Sequence, residues 1–242
     1  MNRKITNKIR FLLDELIPPI IRDSYWFMYP FFFIVYKGKE VRKRMHFKAA
    51  AYSLSEEEYN ALYKDIDAIS GKRDSDLSES NIRYILKHID PAAESVIDIG
   101  CGKGYLLERI KQVYPGTRLS GLDLEEKLRY DGIAFFRGSV TKLPFPDGHF
   151  DTVICTHTIE HIIPLQRAID ELVRVAAKQV IIVAPWQRYF YYTIDGHVNF
   201  FYRAEELLRY LGLKKYSCVR KDMDWIYIGY KEGSQGAINP VS

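Results

Sequence analysis

The sequence predicts an α/β fold: a mostly parallel sheet with one antiparallel edge strand, behind an N-terminal helical extension. Three observations carry this. From about residue 95, short aliphatic runs alternate with amphipathic helical stretches, the pattern of repeated βα units whose sheet is covered on both faces. The first run, SVIDI (95–99), leads straight into a glycine-rich turn and a helix. The last two strands are joined by a short connection, which antiparallel neighbours permit and parallel ones do not.

The elements follow in order. Ile5, Ile9, Leu12, Leu13, Leu16 and Ile17 recur at helical spacing, with Arg3, Lys4, Lys8 and Arg10 on other faces. This predicts an amphipathic helix closed by Pro18-Pro19. The aromatic run SYWFMYPFFFIVY (24–36) and the basic stretch KGKEVRKRMHFK (37–48) come next. Ser55 and Glu58 form a capping box for a helix reaching about Ile69. Gly71 to Ser80 is polar and rich in Ser and Asp, and marks a domain boundary. A helix over Asn81–His88 precedes SVIDI, and a helix over 103–113 follows it. RLSGLDL (118–124), IAFFRG (133–138) and FDTVICT (150–156) are strands two to four. A helix over Leu165–Ala176, the strand QVIIVAP (179–185), a helix over 203–211 and strands near 213–220 and 224–230 complete the series. The expected organisation is therefore residues 1–75 as a basic, aromatic-rich helical segment, 76–232 as the α/β domain and 233–242 as a mobile tail.

Hydrophobic content of 47% and charged content of 27% suit a soluble globular chain with a real core. The charge is uneven: residues 1–48 carry 11 Lys and Arg against 4 Asp and Glu, whereas the rest is slightly acidic. Cys101, Cys155 and Cys218 lack metal-ligand spacing, so no metal is expected and a reducing, cytoplasmic setting is. Asp14 and Glu15 interrupt any secretory core. The longest apolar run, Tyr25 to Tyr36, contains Pro30 and falls short of the roughly 20 residues a spanning helix needs.

The stretch VIDIGCGKGYL (96–106) carries the chemistry. Asp98 ends a strand, and Gly100, Gly102 and Gly104 turn the chain where a ligand can approach the backbone closely. The spacing is GxGxG, not the GxGxxG of dinucleotide sites, and an acid precedes the first glycine. Such an acid can accept hydrogen bonds from a cationic amino-acid ligand and would repel a pyrophosphate. Asp123 ends the next strand, placed either to accept from both ribose hydroxyls or simply to cap a helix.

With GSVTKLPFPDGHFDTVICTHTIEHI (138–162), LQRAIDELVRVAAKQVIIVAP (165–185) and HVNFFYRAEELLRYLG (197–212), the chain from Ser95 to Leu211 resembles the Methyltransf_11 type of class I methyltransferase. The resemblance implies a Rossmann-like class I methyltransferase sheet and S-adenosylmethionine as cofactor. It further implies that Asp98, Gly100, Cys101 and Gly102 lie along the methionine moiety and sulfonium, and that Asp123 holds the ribose with Leu124 beside the adenine. Ser139 and Val140 take the adenine edge, and Thr156 lies below the transferred methyl. The family often has Asp where this chain has Ser139, a departure that implies either weaker adenine recognition or recognition through backbone groups. The family methylates quinones, sugars, lipids and many metabolites, so the resemblance does not specify a substrate; the expected acceptor is a small molecule, glycan or lipid-linked group, methylated at oxygen.

An alcohol acceptor benefits from a base, and His157 and His161 flank the end of the fourth strand; either can serve, and either can be a structural histidine. His149 sits in a Pro/Gly turn and reads as solvated. In WQRYFYYTIDGHVNFF (186–201), Trp186, Tyr189, Tyr191 and Tyr192 can stack on a ring, Arg188 can face an anion, and His197 joins them, the alternative being a packed loop. Asp195 and His197 have no third ligand nearby, so again no metal is expected. The N-terminal segment reads either as a lid over the acceptor or as a contact with an anionic membrane through Lys37, Lys39, Arg42, Lys43 and Arg44, at the membrane's inner face. Two competing functions stand beside methyl transfer to a small acceptor. One is a non-catalytic scaffold that binds S-adenosylmethionine. The other is an RNA methyltransferase, disfavoured because the fourth strand ends in CTHT instead of the Asn/Asp-Pro-Pro-aromatic motif; no nucleic-acid partner is expected.

Overall fold

The computed structural model describes residues 11–66 and 74–234. The chain divides into two compact units, one of Met1–Arg73 with Gln187–Phe200 and one of Asp74–Trp186 with Phe201–Ser242.

The first unit is helical. A π-helical turn, Leu12–Leu16, is the described end of the expected N-terminal helix, whose start lies outside the described residues. Then come α1 (Pro19–Arg22), α2 (Tyr25–Val35), α3 (Val41–Met45), α4 (Phe47–Ala51) and α5 (Glu56–Ile66). Pro19 opens a helix as well as closing one, because its fixed φ suits the first helical position, where the missing N–H has no partner to lose. The aromatic run forms α2 with Pro30 inside it. Ahead of α5, Ser55 N–H donates to Glu58 Oε2 (2.9 Å) and Glu58 N–H to Ser55 Oγ (3.3 Å), the reciprocal capping box. The expected end of that helix at Ile69 lies outside the described residues.

Residues 187–200, expected within the α/β domain, belong instead to this helical unit. Backbone groups of the segment find partners here and so need not be solvated. Tyr36 Oη donates to the Ile194 carbonyl (2.7 Å), Tyr52 Oη to the Val198 carbonyl (3.3 Å), and Tyr191 N–H to Asp23 Oδ1 (2.7 Å). Phe190, Tyr192 and Val198 are buried, as are Met28, Phe32, Met45 and Phe47.

The second unit is a seven-stranded sheet ordered β3-β2-β1-β4-β5-β7-β6. Its strands are β1 (Ser95–Ile99), β2 (Arg118–Asp123), β3 (Ala134–Arg137), β4 (Phe150–Thr156), β5 (Ala176–Pro185), β6 (Lys215–Lys221) and β7 (Asp224–Tyr230). β1 to β5 pair in parallel, and β7 runs antiparallel to both neighbours in the closing pair. The helices are α6 (Glu79–His88), α7 (Tyr105–Val113), α8 (Leu165–Val175) and α9 (Ala204–Leu208). Alternate strand residues serve opposite faces. Ile97, Ile99, Val153, Cys155 and Ile182 join the α8 residues Ile169 and Leu172 in one core, while Val96, Ile154, Ile181, Val183 and Ile228 join Ile85 and Leu107 in the other. β5 begins three residues earlier than its aliphatic run suggests, because α8 passes into it at Ala176, which pairs with Phe150 ahead of a bulge.

This order places the site. From β1 the chain builds outward through β2 to β3, whereas β4 lies on the other side of β1 and leads to β5. The direction reverses between β1 and β4, which opens a crevice at their carboxyl ends.

Candidate functional site

β1 delivers Asp98 to that crevice. Its side chain is 2% exposed, and Oδ1 has no hydrogen-bond partner. Burial, with the negative charge of Asp123 added, holds the carboxyl well above the usual carboxylate range. The loop beyond is fixed to β2: Gly100 and Cys101 N–H both donate to the Leu122 carbonyl (2.7 and 3.1 Å), and Gly102 N–H to Asp123 Oδ2 (2.9 Å). Gly100 (φ +79°) lies so close to Thr158 that an added Cβ would overlap its hydroxyl. Gly102 (φ +51°) faces open space, with nothing within 4 Å of where a Cβ would sit. An orphaned buried carboxyl oxygen beside a bare backbone cradle suits a ligand that brings positive charge and polar hydrogens. The Cys101 thiol is buried over Gly121 in the core, and burial pushes its pKa up.

The other expected cofactor positions gather at the same strand ends. Asp123 also accepts from Glu125 N–H (3.4 Å) and is partly exposed. The Leu124 carbonyl accepts from Arg137 Nε (3.1 Å). Ser139 Oγ is 2.8 Å from Thr141 Oγ1, which turns the chain after β3 and buries Val140. Thr156 ends β4, its carbonyl accepting from Thr158 Oγ1 (3.1 Å).

The histidines differ. His157 has a left-handed backbone (φ 49°) pinned by its N–H to the Val183 carbonyl (2.9 Å). Its ring lies between two buried carboxylates, Nδ1 3.4 Å from Glu160 Oε1 and Nε2 3.4 Å from Asp224 Oδ2. Burial alone would lower its pKa; the charge and hydrogen bonding of Asp224 and Glu160 outweigh it and raise the value to about 10. A raised pKa disfavours the expected role of His157 as a base, since an imidazolium has no lone pair with which to take a proton. His161, on the 3₁₀ turn Ile159–His161, stands 4.0 Å from Glu160 and is largely buried.

Asp224 was not legible as a site residue. It opens the expected strand 224–230 as an isolated acid, yet it is almost fully buried and also accepts from Asn81 Nδ2 (2.7 Å) on α6. Only Glu160, in the EH pair, carried a signal. Among the expected acceptor residues, Trp186 belongs to the sheet unit, where Nε1 donates to the Tyr202 carbonyl (2.9 Å) and the Arg220 guanidinium lies 4.5 Å above its ring. The rest belong to the helical unit. Arg188 pairs with Glu15 (3.1 Å), and Tyr189 is exposed, edge-on to Phe200. Tyr192 is buried between Tyr191 and Tyr25. His197 Nδ1 is 2.6 Å from Gln187 Oε1 and 3.3 Å from Asp195.

A seven-stranded, mostly parallel sheet of this order, with a glycine turn at its switch point and an acid ending the neighbouring strand, is a Rossmann-like α/β sheet. Residues 97–184 match the Methyltransf_11 family, described as "Methyltransferase domain". A probable tocopherol O-methyltransferase of Oryza sativa is 34% identical over 105 residues, 38% of this chain and 29% of that protein. Norajmaline N-methyltransferase of Rauvolfia serpentina is 33% identical over 116 residues, 42% of this chain and 39% of that protein. The chain thus spans well under half the length of these relatives. In fold, it is similar to the structure of PigF with SAH (TM-score 0.59, 17% identity, 85% of this chain and 69% of that one). It is also similar to a SAM-dependent methyltransferase from Thermotoga maritima (TM-score 0.51, 19% identity, 73% and 98%).

Proposed function

We propose that this protein transfers a methyl group from S-adenosylmethionine to an oxygen of a small-molecule, glycan or lipid-linked acceptor, in the cytoplasm and peripheral to the inner face of the membrane. The observation that carries the cofactor reading is the orphaned Asp98 carboxyl beside the open Gly102 cradle. The cofactor's ammonium and sulfonium bring the positive charge that this carboxyl lacks, and Asp123 offers a partly exposed carboxylate to the ribose.

When bound, S-adenosylmethionine supplies a methyl carbon that an acceptor oxygen attacks in line with the departing sulfur. The chain's own groups align the partners and keep the crevice dry. Asp98, Gly100 and Gly102 hold the amino-acid end, and Thr156 and the turn after β4 face the transfer. His161 takes the acceptor proton. His157 stays charged between Glu160 and Asp224 and fixes the shape of that turn. Relatives named as an O- and an N-methyltransferase favour neither atom; the oxygen assignment rests on the histidine beside the strand end.

Titration calorimetry tests the cofactor. S-adenosylmethionine and S-adenosylhomocysteine should bind and NAD should not. Asp98→Ala should abolish binding, and Asp123→Ala should weaken it by about 1–3 kcal/mol. NAD binding without a response to S-adenosylmethionine would overturn the assignment. With an acceptor found by labelled-methyl screening, His161→Ala should lower turnover about 10²–10⁴-fold at unchanged cofactor affinity. Binding with no transfer to any acceptor would favour the scaffold reading.

A further inference from the structure

The helix α2 is apolar on every side: none of its residues, YWFMYPFFFIV, is charged. A helix of that composition ordinarily has its whole circumference covered. Here only one side is. Met28 and Phe32 are buried, and Tyr36 continues that side. Trp26, Pro30, Phe33 and Ile34 fall at positions i, i+4, i+7 and i+8, which share the opposite face, and all four are exposed, Trp26 to 81% and Ile34 to 74%. The preceding turn and helix add exposed Leu16 and Ile20, the latter to 85%. Monomeric proteins rarely leave so concentrated an apolar surface in water.

We propose that this open face of α2 is a membrane-docking surface that lies in the interfacial plane of an anionic bilayer, with Trp26, Phe33 and Ile34 inserted among the acyl chains. The occupant follows from geometry and charge. At 11 residues α2 is about 16 Å long, half a hydrocarbon core, and no described helix is long and apolar enough to cross. Directly after α2 stand exposed Lys37, Lys39, Arg42 and Lys43. The acid among them, Glu40, is already engaged by Lys43 (3.7 Å) and Arg44 (3.9 Å). A second copy docked face to face would bring this cationic flank against its own kind. Anionic headgroups complement it while the acyl region covers the apolar row. The inference deepens the peripheral placement proposed above and does not rest on methyl transfer.

The test is sedimentation of the full chain with phosphatidylcholine vesicles, with and without phosphatidylserine. Binding is expected to the phosphatidylserine vesicles, to fall as salt rises, and to shift Trp26 emission to the blue. Trp26→Ser with Ile34→Ser should reduce binding at least 10-fold, a loss consistent with transferring two large side chains. Lys37→Gln, Lys39→Gln and Arg42→Gln should each cost about five-fold at low salt. These positions are exposed, so the circular dichroism spectrum and melting temperature should not change, and a loss of binding then reads the surface alone. Absence of binding to phosphatidylserine vesicles, or full binding by the Trp26/Ile34 variant, would overturn the proposal. So would a lipid-free dimer that the same variant dissolves, since the face would then belong to a second copy.

Discussion

Asp224→Asn removes one of two negative charges facing a largely buried imidazole. His157 sits 3.4 Å from both Glu160 and Asp224, and its pKa rises from 6.5 to about 10. A raised folded-state pKa means that the pairing stabilises fully below about 6.5 and is lost as pH climbs through about 10. A shift of this size corresponds to on the order of 5 kcal/mol, and removing one partner of a buried pair costs about 3–5 kcal/mol. The Asn side chain keeps the size, and its carbonyl still accepts from Asn81, so the loss falls on the charge. Urea unfolding from pH 6 to pH 10 should show the variant less stable by about 3 kcal/mol at the acid end, with the gap closing toward the alkaline end. The difference between the two proteins is the quantity to read, because Lys48 gives both a slope of opposite sign. Imidazole ¹⁵N shifts should meanwhile show His157 doubly protonated at pH 8 in the wild type and neutral in the variant. A gap below about 1 kcal/mol, or one independent of pH, would refute the ion-paired imidazolium.

Other outcomes follow from the same geometry. Lys48 is buried, with its ammonium over the rings of Phe200 and Tyr189 (4.2 and 4.6 Å), and burial lowers its pKa to about 7. Its charge penalty is therefore full below about 7 and relieved as pH rises toward 10.5; Lys48→Met should stabilise the protein at pH 6 and progressively less above pH 8, as read by thermal melting. Gly100→Ala should cost several kcal/mol and most cofactor affinity, through the overlap with Thr158 and the left-handed φ. Thr158→Gly should restore part of it, and no restoration would place the strain elsewhere. Burial raises the Asp98 pKa and a cationic ligand there should lower it, so binding should release protons and the calorimetric enthalpy should vary with buffer ionisation heat; a buffer-independent enthalpy would show that the ligand leaves Asp98 unchanged.

Local pattern carried much of the sheet. β1 and β4 lie where the aliphatic runs SVIDI and FDTVICT put them, bounded by a glycine turn on one and a Pro-Asp-Gly turn on the other. The Ser55–Glu58 cap formed as its spacing implies, since both partners are within one helical turn. What local pattern lacked was distance. Nothing around Asp224 announces that it will meet His157 and Asn81, because that meeting is set by β7 docking beside β5. A run as uniformly apolar as Tyr25–Val35 has no period to read, so neither its helix nor its half-covered state was visible. The segment after β5 looked like a continuation of the sheet domain. Its buried tyrosines and carbonyls find their partners among residues more than a hundred positions earlier.

That return of residues 187–200 governs how the protein comes into being. During vectorial synthesis α1 to α5 leave the ribosome long before Phe190, Tyr192 and Val198 exist, and these are part of what the first unit buries. The part made first must therefore wait, incomplete, while β1 to β5 are translated, and its closure is a late, non-local event with a correspondingly large loop to close. Modularity suffers in the same way. A fragment beginning at Asp74 would strip the Ile194 and Val198 carbonyls of Tyr36 and Tyr52, leaving an apolar, under-bonded loop on the sheet domain. Neither unit can be cut free at a single peptide bond, because each is made of two separate stretches of chain.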